Sequence, residues 1–169
     1  MSLPVLQGER VTLRPITEAD LDALVAIIQS PGVREWWWDS GDADKLRENL
    51  PNDGNAFVIE ADGEIAGWLG FDEELDPGYR HAGVDLSLHP RFHAQGLGPD
   101  AIRTVIRWLA EERNHLRFTI DPAAANERAI SACEKVGFKP VGVMRRYELG
   151  ADGTMHDGLL MDMLIEELR

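Results

Sequence analysis

The sequence predicts an α/β fold in which a mixed, mostly antiparallel central sheet is flanked by helices, built as one domain over residues 1–169. Three observations carry that expectation. Segments with apolar residues at alternate positions and segments with apolar residues at helical spacing succeed one another in the order β-α-α-β-β-β-α-β-α-β-β. Two tight-turn signals, Asp62-Gly63 and Gly150–Gly153, join neighbouring strand segments into hairpins. No repeat, linker or low-complexity tract divides the chain, and 169 residues suit one core.

Glu9–Arg14 alternates as a first strand, stopped by Pro15. Thr17 caps a helix whose first turn holds Glu18 and Asp20, where the dipole favours acids. Leu21, Leu24, Val25 and Ile28 then form one buried stripe, and Pro31-Gly32 ends it. Three consecutive tryptophans, Trp36, Trp37 and Trp38, cannot all face a core, so at least one is exposed or lines a cleft. Asp42–Leu50 reads as a short helix ending at Pro51, with a turn at Asn52-Asp53-Gly54. Ala56–Ala61 and Glu64–Phe71 form the first hairpin. After the acidic loop Asp72–Gly78 comes the strand Arg80–Leu88, on which Ala82, Val84, Leu86 and Leu88 share one face. Gly83, Asp85, Ser87 and His89 share the other. Pro99 suits the first position of the following helix, whose buried stripe is Ile102, Val105, Ile106 and Leu109. Leu116–Ile120 is a short strand, Asn126 caps a helix to Val136, and Phe138–Leu149 and Thr154–Ile165 close the fold as a hairpin.

Composition narrows the function. Thirty acidic against seventeen basic residues leave a formal charge of −13, a field that opposes nucleic acid and anionic membranes and attracts cations. No window has the apolar length of a membrane helix, and MSLPVLQGER lacks the pattern of a signal peptide, so a cytoplasmic location is expected. Cys133 is the lone cysteine, and no Cys/His cluster has zinc spacing, so neither disulfide nor metal is expected. Monomer and homodimer are both compatible with the sequence.

The stretch His89–Gly98, HPRFHAQGLG, joins a strand to a helix through two glycines. Backbone N–H groups in such a loop, together with the helix dipole, favour an anion such as a phosphate. With His93-Ala94-Gln95-Gly96-Leu97-Gly98 followed by Asn126, Ala129, Cys133, Lys135, Gly137 and Phe138, the chain resembles the GNAT superfamily of acyl-coenzyme A N-acyltransferases. His93 stands where that family usually has Arg or Gln, and Cys133 where it usually has Tyr. Glu35-Trp36-Trp37, Asp85, Asp121-Pro122 and Asn126–Ile130 are similar to aminoglycoside 6′-N-acetyltransferases within it.

The resemblance implies acetyl-coenzyme A as acyl donor, held by Leu88, His93, Gln95, Gly96, Leu97, Gly98, Asp100 and Asn126. It implies an oxyanion-stabilising backbone N–H near Ser87–His89. Asp85 and Asp121 are the candidates for binding and deprotonating the amine, with Trp36, Trp37 and Glu73 beside a small cationic acceptor. The bland alternatives are an exposed strand acid and a turn-forming Asp. Glu74 and Asp76 add acidity to the same loop. Cys133 occupies the general-acid position, but a cysteine in a helix is more often a small buried hydrophobe, and that reading is preferred, with solvent or Tyr147 supplying the proton. His89, His93, His115 and His156 are candidate bases by residue type. Peptide, polyamine and siderophore-precursor acceptors, and a catalytically weak acyl-coenzyme A binding module, are the competing readings.

Overall fold

The computed structural model describes residues 2–50 and 54–169. Its strands are β1 (Leu6–Gln7), β2 (Val11–Pro15), β3 (Ala56–Ala61), β4 (Glu64–Glu74), β5 (His81–Leu88), β6 (Arg117–Ile120), β7 (Lys139–Leu149) and β8 (Met155–Leu164). The helices are α1 (Leu21–Ile28), α2 (Ala43–Asn49), α3 (Leu97–Arg113) and α4 (Glu127–Val136). The strands form one sheet in the order β1-β2-β3-β4-β5-β6-β8-β7, antiparallel throughout except between β5 and β6. The mixed, mostly antiparallel sheet with flanking helices is therefore what the pattern predicted. The hairpin at Asp62-Gly63 has φ +53° and +75°, both left-handed, as a tight two-residue turn requires.

Three boundaries differ from the expectation. The first strand starts at Val11 because Gly8 N–H bonds to Val11 O (2.8 Å) and turns the two-residue β1 back onto Leu13 and Thr12. Two residues are too short for any periodicity, so β1 is invisible in the sequence. Pro15 is the last residue of β2, since a strand end needs no N–H from it. Gly96 caps α3, which makes Pro99 its third helical residue. Asp42 accepts from Asp44 N and Lys45 N (both 3.1 Å) and caps α2. The expected end of that helix at Pro51 and the turn through Asn52 and Asp53 lie outside the described residues.

Strand alternation divides the core into two layers. Leu69, Phe71 and Val84 face the larger cluster with Leu97, Ile102, Val105 and Leu109 of α3 and Cys133 and Val136 of α4. Val58 and Trp68 face the other side, against Leu24, Ile28 and Leu46 of α1 and α2. In the β4–β5 register Trp68 opposes Ser87 and Gly70 opposes Asp85, so Asp85 and Ser87 project to the α1–α2 side. Leu86 and Leu88 pack on the larger cluster.

The feature that matters for function is where the sheet comes apart. β5 and β6 pair only at Ala82–Phe118 and Gly83–Thr119. Beyond that point the two parallel strands diverge. Val84–Leu88 keep their partners on β4 and have none among the described residues on the β6 side.

Candidate active site

The gap between the diverging strands opens a cleft of about 780 Å³, bordered by β5, α4, the Gly96 loop, the tryptophan segment and the end of β7. Backbone polarity in the gap follows from strand geometry. Leu86 N–H turns away from β4 and donates to Oδ1 of Asp85 (2.8 Å). Two residues on, the N–H and C=O of Leu88 face the same way. The Leu88 carbonyl accepts from His93 Nε2–H (2.8 Å), which identifies the tautomer, since a carbonyl only accepts. By the same alternation the Leu88 N–H points to the side where Leu88 has no β6 partner among the described residues, and Leu88 borders the cleft. It lies in the Ser87–His89 stretch where the resemblance implies an oxyanion-stabilising N–H.

The loop before α3 is suited to an anion. Gly96 has φ +78°, and no side chain caps the 17-residue helix that follows. The first-turn N–H groups of Leu97 and Gly98 are thus uncapped and lie at the positive end of the helix dipole. A Cβ on Gly98 would meet Leu88 Cδ1 at 3.5 Å, so the backbone lies close to the end of β5. His93 latches this loop to Leu88, and burial holds its imidazole below the usual His pKa. Gly96, Leu97, Gly98 and Asn126 all border the cleft, and Asn126 Oδ1 also accepts from Ala129 N (3.2 Å), capping α4.

Two expected members of the cradle are elsewhere. The Asp100 amide is taken by Gly96 O (3.1 Å) as the first bond of the helix. Its buried carboxylate accepts from the N–H groups of Glu9 (3.0 Å), Arg10 (2.8 Å) and Val11 (3.0 Å). Asp100 therefore ties the β1–β2 turn to α3 and does not border the cleft. Gln95 does not border the cleft either: its side-chain amide donates to Arg91 O (2.7 Å) and its backbone carbonyl accepts from Arg10 Nη1 (2.6 Å).

On the opposite wall the carboxylates gather. Asp85, Asp121 and Glu148 all border the cleft, and Tyr147 donates its hydroxyl to Oδ2 of Asp121. No salt bridge involves any of the three acids among the described residues. The Asp85 side chain is exposed at the cleft wall, where the protein around it and the neighbouring acids still disfavour its charge. Desolvation, with Asp121 as a second cause, raises its pKa to about 7. Burial and Asp121 also raise Glu148. The hydrogen bond to Asp121 raises Tyr147 to about 12. Sequence reading missed Glu148, because only the β7–β8 fold-back brings it to Asp121.

The remaining candidates separate cleanly. Cys133 borders the cleft but is only 2% exposed, and burial pushes its thiol to about 12. Such a thiol is a weaker acid than an ordinary one at ~8.5 and cannot favourably protonate a thiolate, so it acts as a buried apolar residue of α4. Glu73 is a correction: it pairs with Arg113 (3.0 Å) and the buried His115 (2.6 Å) and does not border the cleft. A β4 acid is matched there by Arg113 at the end of α3 and by His115 just beyond it, contacts that sequence spacing does not reveal. Glu74 and Asp76 lie in the same turn, away from the cleft. His89 caps the Pro90 turn through Arg91 N (3.2 Å), and His156 pairs with Asp152. Neither reaches the cleft. Trp36, Trp37 and Trp38 do border it. Trp37 stacks on Trp68 at 5.5 Å, and Trp38 is 47% exposed, which resolves how three adjacent tryptophans are accommodated.

Comparison with known proteins agrees with this geometry. A family model described as an acetyltransferase (GNAT) domain matches residues 10–139. An aminoglycoside N(6′)-acetyltransferase type 1 from Klebsiella pneumoniae is 29% identical over 164 residues, spanning 85% of this chain and 81% of that protein. An acetyltransferase (GNAT family) structure from Bacillus anthracis superposes with a TM-score of 0.83 at 16% identity, covering 97% of this chain and all 100% of that one. AAC(6′)-Ib, solved with ribostamycin and coenzyme A, superposes with a TM-score of 0.76 at 23% identity, covering 94% and 96% of the two chains. At these identities the two structures speak to the fold alone.

Proposed function

The chain belongs to the GNAT family of acetyl-coenzyme A-dependent acyltransferases, and from that premise we propose that it acetylates a primary amine of a small polycationic acceptor, an aminoglycoside at its 6′-nitrogen. One observation carries the choice of acceptor: Asp85, Asp121 and Glu148, without a salt-bridge partner among the described residues, border the same cleft as the tryptophan segment. A site of that kind lowers the free energy of an ammonium and raises that of a neutral or anionic acceptor. The 29% identity to the Klebsiella enzyme supports the same reading.

The donor fits the opposite wall. When bound, acetyl-coenzyme A supplies the thioester carbonyl, and the coenzyme leaves as its thiol once the C–S bond has broken. Leu97 and Gly98 N–H groups hold its phosphates by dipole, and Leu88 N–H receives the developing oxyanion. Asp85 and Asp121 attract the ammonium. With a pKa of about 7, Asp85 is both largely ionised just above neutrality and a competent base there, so it takes the proton that frees the amine lone pair. The amine forms the C–N bond as the C–S bond breaks. One ammonium proton goes to the thiolate, through Asp85 or through solvent, and a second leaves to bulk water.

The test is release of coenzyme thiol against kanamycin-like aminoglycosides, polyamines and peptides, with mass spectrometry locating the acetyl group. Preferred acetylation of the aminoglycoside 6′-nitrogen is expected. Preference for peptide N-termini would overturn the choice of acceptor.

A further inference from the structure

We infer that Asp39, framed by Trp36, Trp37 and Trp38, is a second cation subsite that holds an ammonium of the acceptor other than the one acetylated. The inference rests on the amine-acceptor reading above and adds a specificity residue to it. Asp39 borders the same cleft as Asp85 and Asp121 but enters it from the segment between α1 and α2.

Asp39 is 6% exposed, a depth at which a carboxylate ordinarily has a cationic partner. Its only side-chain partner among the described residues is the neutral amide of Asn49, whose Nδ2 donates to Oδ2 (2.7 Å). That contact fixes the carboxylate without neutralising it. The amide comes from α2 and the acid from the loop before it, so the rotamer is held from two elements.

The surroundings are those of an ammonium site. The indole rings of the three residues preceding this acid border the same cleft, and indole faces attract cations. One ring already does so within the chain: Lys45 Nζ sits 4.7 Å from the centroid of Trp38. Trp37 packs at a tilt against Trp68, which opposes Ser87 on β5, two residues from Asp85 on the same strand face. The tryptophan wall therefore stands over the strand face that carries the reacting end. An acceptor with one amine at Asp85 has its distal amine placed towards Asp39. A monoamine fills only the first position.

Binding and turnover of diamines are compared with those of monoamines of matching chain length. Calorimetry on protein loaded with coenzyme A measures affinity without transfer; thiol release with acetyl-coenzyme A measures kcat and KM. Wild-type protein is expected to prefer one length of diamine over its monoamine by about tenfold in Kd, the factor that corresponds to one net favourable charge contact. Asp39→Asn removes that preference, Asp39→Glu restores part of it at a different diamine length, and in turnover the change lies in KM. Equal affinity of the wild type for diamine and monoamine overturns the subsite. So does an Asp39→Asn variant that keeps the preference. Absence of transfer to any amine, with the binding preference intact, would instead overturn the acetylation reading and leave the subsite standing.

Discussion

Asp20 and Asp85 are the same residue type in opposite circumstances. Asp20, 5% exposed, receives two guanidinium bonds from Arg14 (2.8 and 2.9 Å) and two more from the Thr17 amide and hydroxyl (2.8 and 2.9 Å). The Arg14 hydrogen bonds hold its pKa down at about 2. Asp85 has one backbone donor, three neighbouring acids (Asp121, Glu148 and Asp72) and no salt-bridge partner among the described residues, and desolvation with those acids lifts it to about 7. Asp100 belongs with Asp20, its carboxylate saturated by three backbone N–H groups. Where a carboxylate serves the fold, donors surround it. Where carboxylates are left in mutual repulsion at a cleft, the fold bears a cost in stability, and on the proposal above the acceptor's ammonium is the cation that offsets it.

Replacing the unmatched acid should give the largest effect. Asp85→Asn removes the base and one attraction for the ammonium, and is expected to lower kcat by about hundredfold or more while the KM for acetyl-coenzyme A changes little. Steady-state kinetics with both substrates varied checks the split. A matched drop in coenzyme affinity would move Asp85 to the donor side.

Replacing a matched acid should act on stability instead. Asp100→Ala leaves three N–H groups at the β1–β2 turn without their acceptor, and is expected to cost about 3 kcal/mol in urea unfolding. A loss under ~0.5 kcal/mol would mean that water replaces the carboxylate and that the tie between α3 and the sheet edge is dispensable.

The pair Asp20→Asn and Asp85→Asn should move the thermal midpoint in opposite directions. Asp20 has a folded-state pKa below its unfolded value, so its contribution, on the order of 2 kcal/mol, is complete above pH ~4 and is lost as pH falls towards 2. Asp20→Asn lowers Tm at neutral pH. Asp85 has a folded-state pKa above its unfolded value, so ionising it destabilises the fold as pH rises from about 4 to 7. Asp85→Asn raises Tm at pH 8. Two shifts of the same sign, read by calorimetry, would remove the distinction between the two environments.

Much of this was legible in the sequence, and the rest was hidden for definable reasons. Alternation and turn chemistry located the Asp62-Gly63 hairpin and the strand that carries Asp85, because these are local signals. The Gly96–Gly98 loop was legible for the same reason. Asp100 and Glu73 were misassigned because their partners lie far away in sequence: Asp100 meets backbone some 90 residues distant, and Glu73 meets Arg113 and His115 40 and 42 residues on. Glu148 was missed because its acidity matters only once β7 folds back beside Asp121. An acid's spacing says nothing about whether a cation will reach it.

The most direct test is the pH dependence of kcat at saturating acceptor and acetyl-coenzyme A. If the unmatched Asp85 collects the amine proton, kcat rises with pH through an inflection near 7, and Asp85→Asn abolishes that inflection. The same inflection persisting in Asp85→Asn would contradict the account.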